Sequence, residues 1–186
     1  HPHTFPSTAV FRSKCRHASY GGGAERFDEP GMEGVTVPTF EEVLAAFSRR
    51  TLMNIQIYAK SDDVLREICR LYRAYGMYDR GYLSINNREQ FDRVRELDAG
   101  IEICFLPGWE NRSTPEALRL CRELGCRFVQ PVRETVTAGT VALCRELGLR
   151  ENLFFCDDPA EAVRLAREGV RGFLTNRITA MAPIRY

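Results

Sequence analysis

From residue 39 onward, apolar and polar positions repeat one pattern. A short apolar run is followed by a capping residue, then an amphipathic stretch of period near 3.6, then a glycine. Thr39 with Glu42 forms a capping-box signature ahead of Val43, Leu44 and Phe47. Ser61, Asn87, Thr114–Pro115, Thr137 and Asp158–Pro159 open five further predicted helices. Gly76, Gly100, Gly125, Gly148 and Gly169 close them, spaced about 21 to 25 residues apart, the size of a short strand plus a helix. The string LCRELG occurs at both 120–125 and 143–148, which suggests an internal repeat.

Between the helices lie six predicted strands: 54–59, 81–85, 101–106, 128–132, 153–156 and 172–175. Several are apolar throughout, as strands covered on both faces are. Strict alternation with helices predicts an α/β fold with a parallel sheet and right-handed crossovers. No glycine-rich phosphate loop follows any strand, so a dinucleotide-binding sheet has no support. Six strands are also too few for the usual eight-stranded barrel. Either the sheet is open or the first units of a barrel are missing. Residues 1–38 break the pattern and read as an irregular arm.

Composition narrows the partners. A formal charge of +1 with 27% charged residues gives no basic surface, so no nucleic acid is expected. No apolar run approaches a membrane span, and residues 1–34 show no export signal. Seven cysteines, an odd number without a CxxC pair, fit neither a disulfide framework nor a zinc site. Cys69, Cys121 and Cys144 fall in helical apolar stripes, and a reducing cytoplasm is the natural compartment. The acids Glu25, Asp28, Glu29 and Glu33 read as solvated.

Barrel enzymes keep their sites at the carboxyl ends of the strands. There Gln56 and Tyr58 alternate on one strand face, lining either a small polar pocket or a hydrogen-bonded core. Ser84 ends the next strand within reach of a ligand, while Asn87 reads as a helix cap. Trp109, the sole tryptophan, follows the third strand. Asp157 reads as a strand-end polar group or, preferably, a partner in capping the next helix.

Five strings in order resemble the glycerophosphodiester phosphodiesterase family, a TIM barrel of the phospholipase-C-like phosphodiesterase type. VTVPTFEEVLAAF (35–47) is similar to the family's "IPTLEEVL", and TLMNIQIYAK (51–60) to its "LNIEIK" strand. YGMYDRGYLSINN (75–87), GLRENLFFCDDPAEA (148–162) and GVRGFLTNR (169–177) resemble "GLEDRVIISSFN", "GLRVNVWTVNDPAEA" and "GVDGIITDRP". The resemblance implies a barrel domain over 35–186 preceded by an arm over 1–34. It also implies phosphodiester hydrolysis in glycerophospholipid metabolism, assisted by Mg²⁺ or Ca²⁺ held by hard oxygen ligands.

The departures from that pattern bear on activity. The family's histidine-arginine-glycine strand and its Glu-x-Asp strand have no counterpart here. Its metal-binding Glu falls on Gln56, its Lys on Tyr58, its "WTVN" tryptophan on Phe154 and its "TDRP" aspartate on Asn176. His1 stands where a second catalytic histidine is expected, but Pro2 follows it in place of Asp. These losses imply no metal and no cofactor for this chain, and a pseudoenzyme that keeps the scaffold and takes a glycerol- or phosphate-bearing small molecule. Two alternatives stay open: a truncated active phosphodiesterase, and an interaction module that self-associates through an open barrel edge.

Overall fold

The computed structural model describes residues 38–182. His1, His3, His17, Cys15, the acids at 25–33 and the arm at 1–34 lie outside the described residues. The chain divides into two compact units, residues 1–45 and 46–186. Helix α1 (Phe40–Phe47), which starts in the first, begins with the expected capping box. Thr39 N donates to Glu42 Oε2 at 2.7 Å, and Glu42 N donates to Thr39 Oγ1 at 3.2 Å.

The second unit alternates strand and helix throughout: β1 (Met53–Gln56), α2 (Asp62–Ala74), β2 (Gly81–Ile85), α3 (Arg88–Leu97), β3 (Ile103–Phe105), α4 (Pro115–Glu123), β4 (Phe128–Val129), α5 (Ala138–Leu147), β5 (Arg150–Leu153), α6 (Pro159–Glu168), β6 (Gly172–Phe173) and α7 (Ile178–Met181). The strands are parallel, in two three-stranded ladders ordered β1-β2-β3 and β4-β5-β6. Register is set by Gln56 opposite Ser84, and Ser84 opposite Cys104. The ladders meet where the buried Glu102 carboxylate accepts from Arg127 N at 2.8 Å and from its Nε at 2.6 Å. The result is a six-strand arc of (β/α) barrel type: its parallel strands are those the alternation predicted, and its barrel type is the one the resemblance implied.

Helices cover one face of the arc with the apolar stripes read from the sequence. Leu65, Cys69 and Tyr72 of α2, Phe91 and Val94 of α3, Leu118 and Cys121 of α4, and Val141 and Cys144 of α5 are all buried. Val141, Leu153, Leu165 and Val170 close the core under α5 and α6. The two copies of LCRELG occupy equivalent places: Cys121 and Cys144 point inward, and Gly125 and Gly148 follow their helices with φ of 76° and 68°. All six described cysteines are free and buried. No helix among the described residues is long and apolar enough to cross a membrane.

Some local expectations need correction. Ser61 occupies the N-cap of α2 without a capping bond from its side chain. The acids Asp62 and Asp63 in the first turn stand in for it electrostatically. Gly100 does not close α3, which ends at Leu97. Asp98 caps it, and Asp98 Oδ1 then accepts from Gly100 N at 3.1 Å to form the turn.

The strands are also shorter or shifted. β1 ends at Gln56, although Ile57 N still donates to Ser84 O at 3.0 Å. β3 is confined to Ile103–Phe105. β4 stops at Val129, with pairing resumed only at the Val132–Phe154 bridge. β5 begins three residues before the predicted 153–156, at Arg150, because tertiary partners accommodate its polar residues. β6 is reduced to Gly172–Phe173, and Leu174 O then accepts from Cys156 N at 2.9 Å.

Candidate functional site

The strand face turned away from the helices begins at β1 with Asn54, Gln56 and Tyr58, which share one side by alternation. All three are exposed, Tyr58 by 71%. The core alternative for Gln56 and Tyr58 is therefore wrong: no strand covers that side of β1 among the described residues. Ser84, by contrast, is 1% exposed, and its hydroxyl donates to Asn54 Oδ1 at 2.7 Å. Its hydroxyl proton is committed to the protein, so Ser84 holds the Asn54 side chain in place.

Two predicted residues meet across the carboxyl ends of β3 and β5. The Trp109 and Phe154 rings pack edge to face with centroids 5.0 Å apart. Trp109 lies in a 3₁₀ turn (Trp109–Asn111) and is half exposed, so this aromatic wall borders solvent. Asn176 is bound to Asp157. Asp157 Oδ1 accepts from Thr175 Oγ1 and from Asn176 N, each at 2.7 Å, and Oδ2 accepts from Asn176 Nδ2 at 3.3 Å. The Thr175 hydroxyl, more than any other group, holds this carboxyl below the usual range. Asp157 is thus a strand-end polar group and not a capping partner. The cap of α6 is Asp158, which accepts from Ala160 N at 2.9 Å.

Arg112 was not expected. It follows the Trp109 turn, and its guanidinium carbon sits 4.9 Å from the Trp109 ring centroid. Its Nε donates to Pro107 O at 3.4 Å, while its two terminal nitrogens bind no described residue. Burial pushes its pKa down, though a guanidinium remains charged. The Cys104 thiol and the Tyr58 phenol lie near enough to bear on that charge. Arg112 makes no ion pair with a described residue. Arg66, Arg70, Arg88 and Arg164, by contrast, pair with acids one helical turn away. A basic residue in a strand-end loop, off any helical charge pattern, was the available signal.

A divalent cation does not fit these residues. No group of three or more His, Cys, Asp or Glu among the described residues could hold a metal. The position that resemblance assigns to a ligand carboxylate is the Gln56 amide. The Arg112 guanidinium, near enough to Tyr58 to interact with it, would repel a cation held at that position. Glu161, at the start of α6, is committed to Arg133 at 3.3 Å.

A cavity of about 900 Å³ opens at the other end of the arc, lined by the first residues of five strands: Met53, Gly81, Phe128, Arg150 and Gly172. No βα loop reaches this end. At the carboxyl ends, where barrel enzymes keep their sites, Trp109 touches both Phe154 and Arg112, and Tyr58 lies near enough to bear on the Arg112 charge.

Fold and site together define a (β/α) barrel-type domain with a polar-aromatic mouth. Solved structures narrow that class. A protein from Galdieria sulphuraria assigned to the glycerophosphodiester phosphodiesterases matches with TM-score 0.69 at 18% identity, over 80% of this chain and 64% of its own. A glycerophosphodiester phosphodiesterase from Agrobacterium tumefaciens matches with TM-score 0.65 at 16% identity, over 80% and 62%. An Oleispira antarctica phosphodiesterase, solved in complex with the product sn-glycerol-3-phosphate, matches with TM-score 0.63 at 14% identity, over 79% and 60%. The chain therefore has the glycerophosphodiester phosphodiesterase fold and spans less than two thirds of the length of these proteins. No family profile matches the sequence. No curated protein matches it either.

Proposed function

We propose that this glycerophosphodiester phosphodiesterase-like domain binds a glycerol- or phosphate-bearing small molecule at the carboxyl ends of its strands and does not cleave it. The observation that carries this reading is the end of β1. An exposed amide and an exposed phenol, Gln56 and Tyr58, occupy the places of a metal-binding carboxylate and a lysine. Ester cleavage in this fold needs charge gathered around the phosphoryl group to offset what develops in the transition state. Neutral side chains lower that contribution without removing a surface on which a ligand can rest. The sn-glycerol-3-phosphate held by the Oleispira antarctica protein supports the ligand class.

The test is release of glycerol phosphate from glycerophosphocholine in Mg²⁺ or Ca²⁺. We expect none, and none after Gln56→Glu with Tyr58→Lys, since two side chains do not rebuild a full ligand set. Metal-dependent release that Gln56→Ala abolishes would overturn the reading. A second reading, self-association, is favoured by β1 and β6, each with one neighbouring strand among the described residues. Sedimentation equilibrium giving a monomer at micromolar concentration would remove it.

A further inference from the structure

We infer that Arg112 is an oxyanion-binding residue, and that it lets this mouth recognise a phosphate group without a metal ion. The inference rests on the binding half of the proposed function and adds to it the group that recognises the ligand.

Three observations converge on this residue. The guanidinium is half-buried yet makes no ion pair with a described residue, unlike the arginines on the helix surfaces. Its orientation is fixed from two sides, by Nε donating to Pro107 O and by the Trp109 ring facing its carbon at 4.9 Å. That leaves its two terminal nitrogens as donors that no described residue uses. A planar fork with free terminal N–H groups matches the paired oxygens of a phosphate. Holding the fork in place beforehand lowers the ordering cost of binding.

The surroundings suit the same ligand. The exposed Tyr58, two residues past β1 and near enough to bear on the Arg112 charge, offers a hydroxyl, and the Trp109–Phe154 pair offers an apolar wall. Asp157 and Glu161, the carboxylates at the end of β5 and the start of α6, are already bound to Thr175, Asn176 and Arg133. Neither competes for the guanidinium. In the family resemblance the ligand's charge is met by a lysine at position 58. Here the cation comes from the loop after β3.

The experiment is calorimetric titration of the full chain in EDTA with sn-glycerol 3-phosphate, inorganic phosphate, glycerophosphocholine and glycerol. Arg112→Gln and Arg112→Lys would be titrated alongside the parent. We expect phosphate-bearing ligands to bind in EDTA and glycerol alone not to bind. Arg112→Gln should weaken binding on the order of tenfold to a hundredfold, the range for a lost charged hydrogen-bond pair. Arg112→Lys should fall between, because it keeps the charge and loses the fork.

The Arg112 Nε–H resonance, assigned by its loss in Arg112→Lys, should shift on adding inorganic phosphate; this keeps the test alive if Arg112→Gln fails to fold. Equal affinity of parent and Arg112→Gln would overturn the inference while leaving the proposed function standing. Binding that requires added Mg²⁺, or no phosphate binding at millimolar concentration, would overturn it as well. Arg112-dependent binding of inorganic phosphate without binding of the glycerol esters would uphold the inference and sink the ligand class proposed above.

Discussion

Asn152 and Tyr82 lie 70 positions apart in the chain, yet Asn152 Nδ2 donates to the Tyr82 hydroxyl at 2.6 Å. The bond ties one three-stranded ladder to the other, beside the stacked Tyr82 and Phe128 rings at 4.7 Å. Tyr82→Phe keeps the stack and leaves the amide donor unpaired. The expected cost is about 1–2 kcal/mol, read as a lower urea midpoint at unchanged m-value. An unchanged midpoint would mean that stacking alone joins the ladders there.

Glu151 is a strand residue 4% exposed, facing Cys144 of α5. Burial raises its pKa above the ordinary 4.5, so the folded state holds the proton where the unfolded state has released it. Stability should fall as pH rises from about 4.5 through that raised value. Glu151→Gln should flatten this slope and raise the thermal midpoint at pH 7. A variant whose midpoint keeps the parent's pH dependence would show that another group is responsible.

Gly81 starts β2 where the backbone of β1 comes close. A Cβ there would lie 2.9 Å from Met53 O and 3.1 Å from Met77 Cε. Met77 is fully buried and Met53 O is backbone, so the strands must separate to admit it. Gly81→Ala should cost about 1–3 kcal/mol, with a midpoint shift of about 2–4 °C per kcal/mol. A midpoint equal to the parent's in differential scanning calorimetry would refute the close approach.

The Asp157 carboxylate organises the segment after β6 through Thr175 and Asn176. Its pKa is depressed below 3.8, so whatever stability it adds is complete above that value and is lost as pH falls through the depressed one. Asp157→Ala should increase amide exchange at Asn176 and Arg177 and shallow the acid limb of the stability profile. Unaltered exchange at both amides would argue that the segment is held by other contacts.

Helix starts were legible because a cap is a local device. Thr114 binds Ala117 N, and Thr137 binds Thr140 N, using only residues within one turn. The start of β5 was not legible, since Glu151 and Asn152 look like loop residues until Cys144 and Tyr82 are placed beside them. The site divided the same way. Alternation put Gln56 and Tyr58 on one face, and resemblance marked Phe154. Only the fold seats Phe154 against Trp109 and leaves Arg112 without an acid partner among the described residues, because both depend on loops that converge from different strands.

The pairing of Arg112 with Trp109 has an optical consequence. The protein contains one indole, so emission excited at the red edge of its absorption, where the tyrosines do not absorb, comes from a single place, beside a fixed positive charge and at the edge of solvent. Any solute that displaces or neutralises that charge changes the field across the excited ring. The colour of the protein's own fluorescence therefore reports on this one corner of the molecule without any added dye.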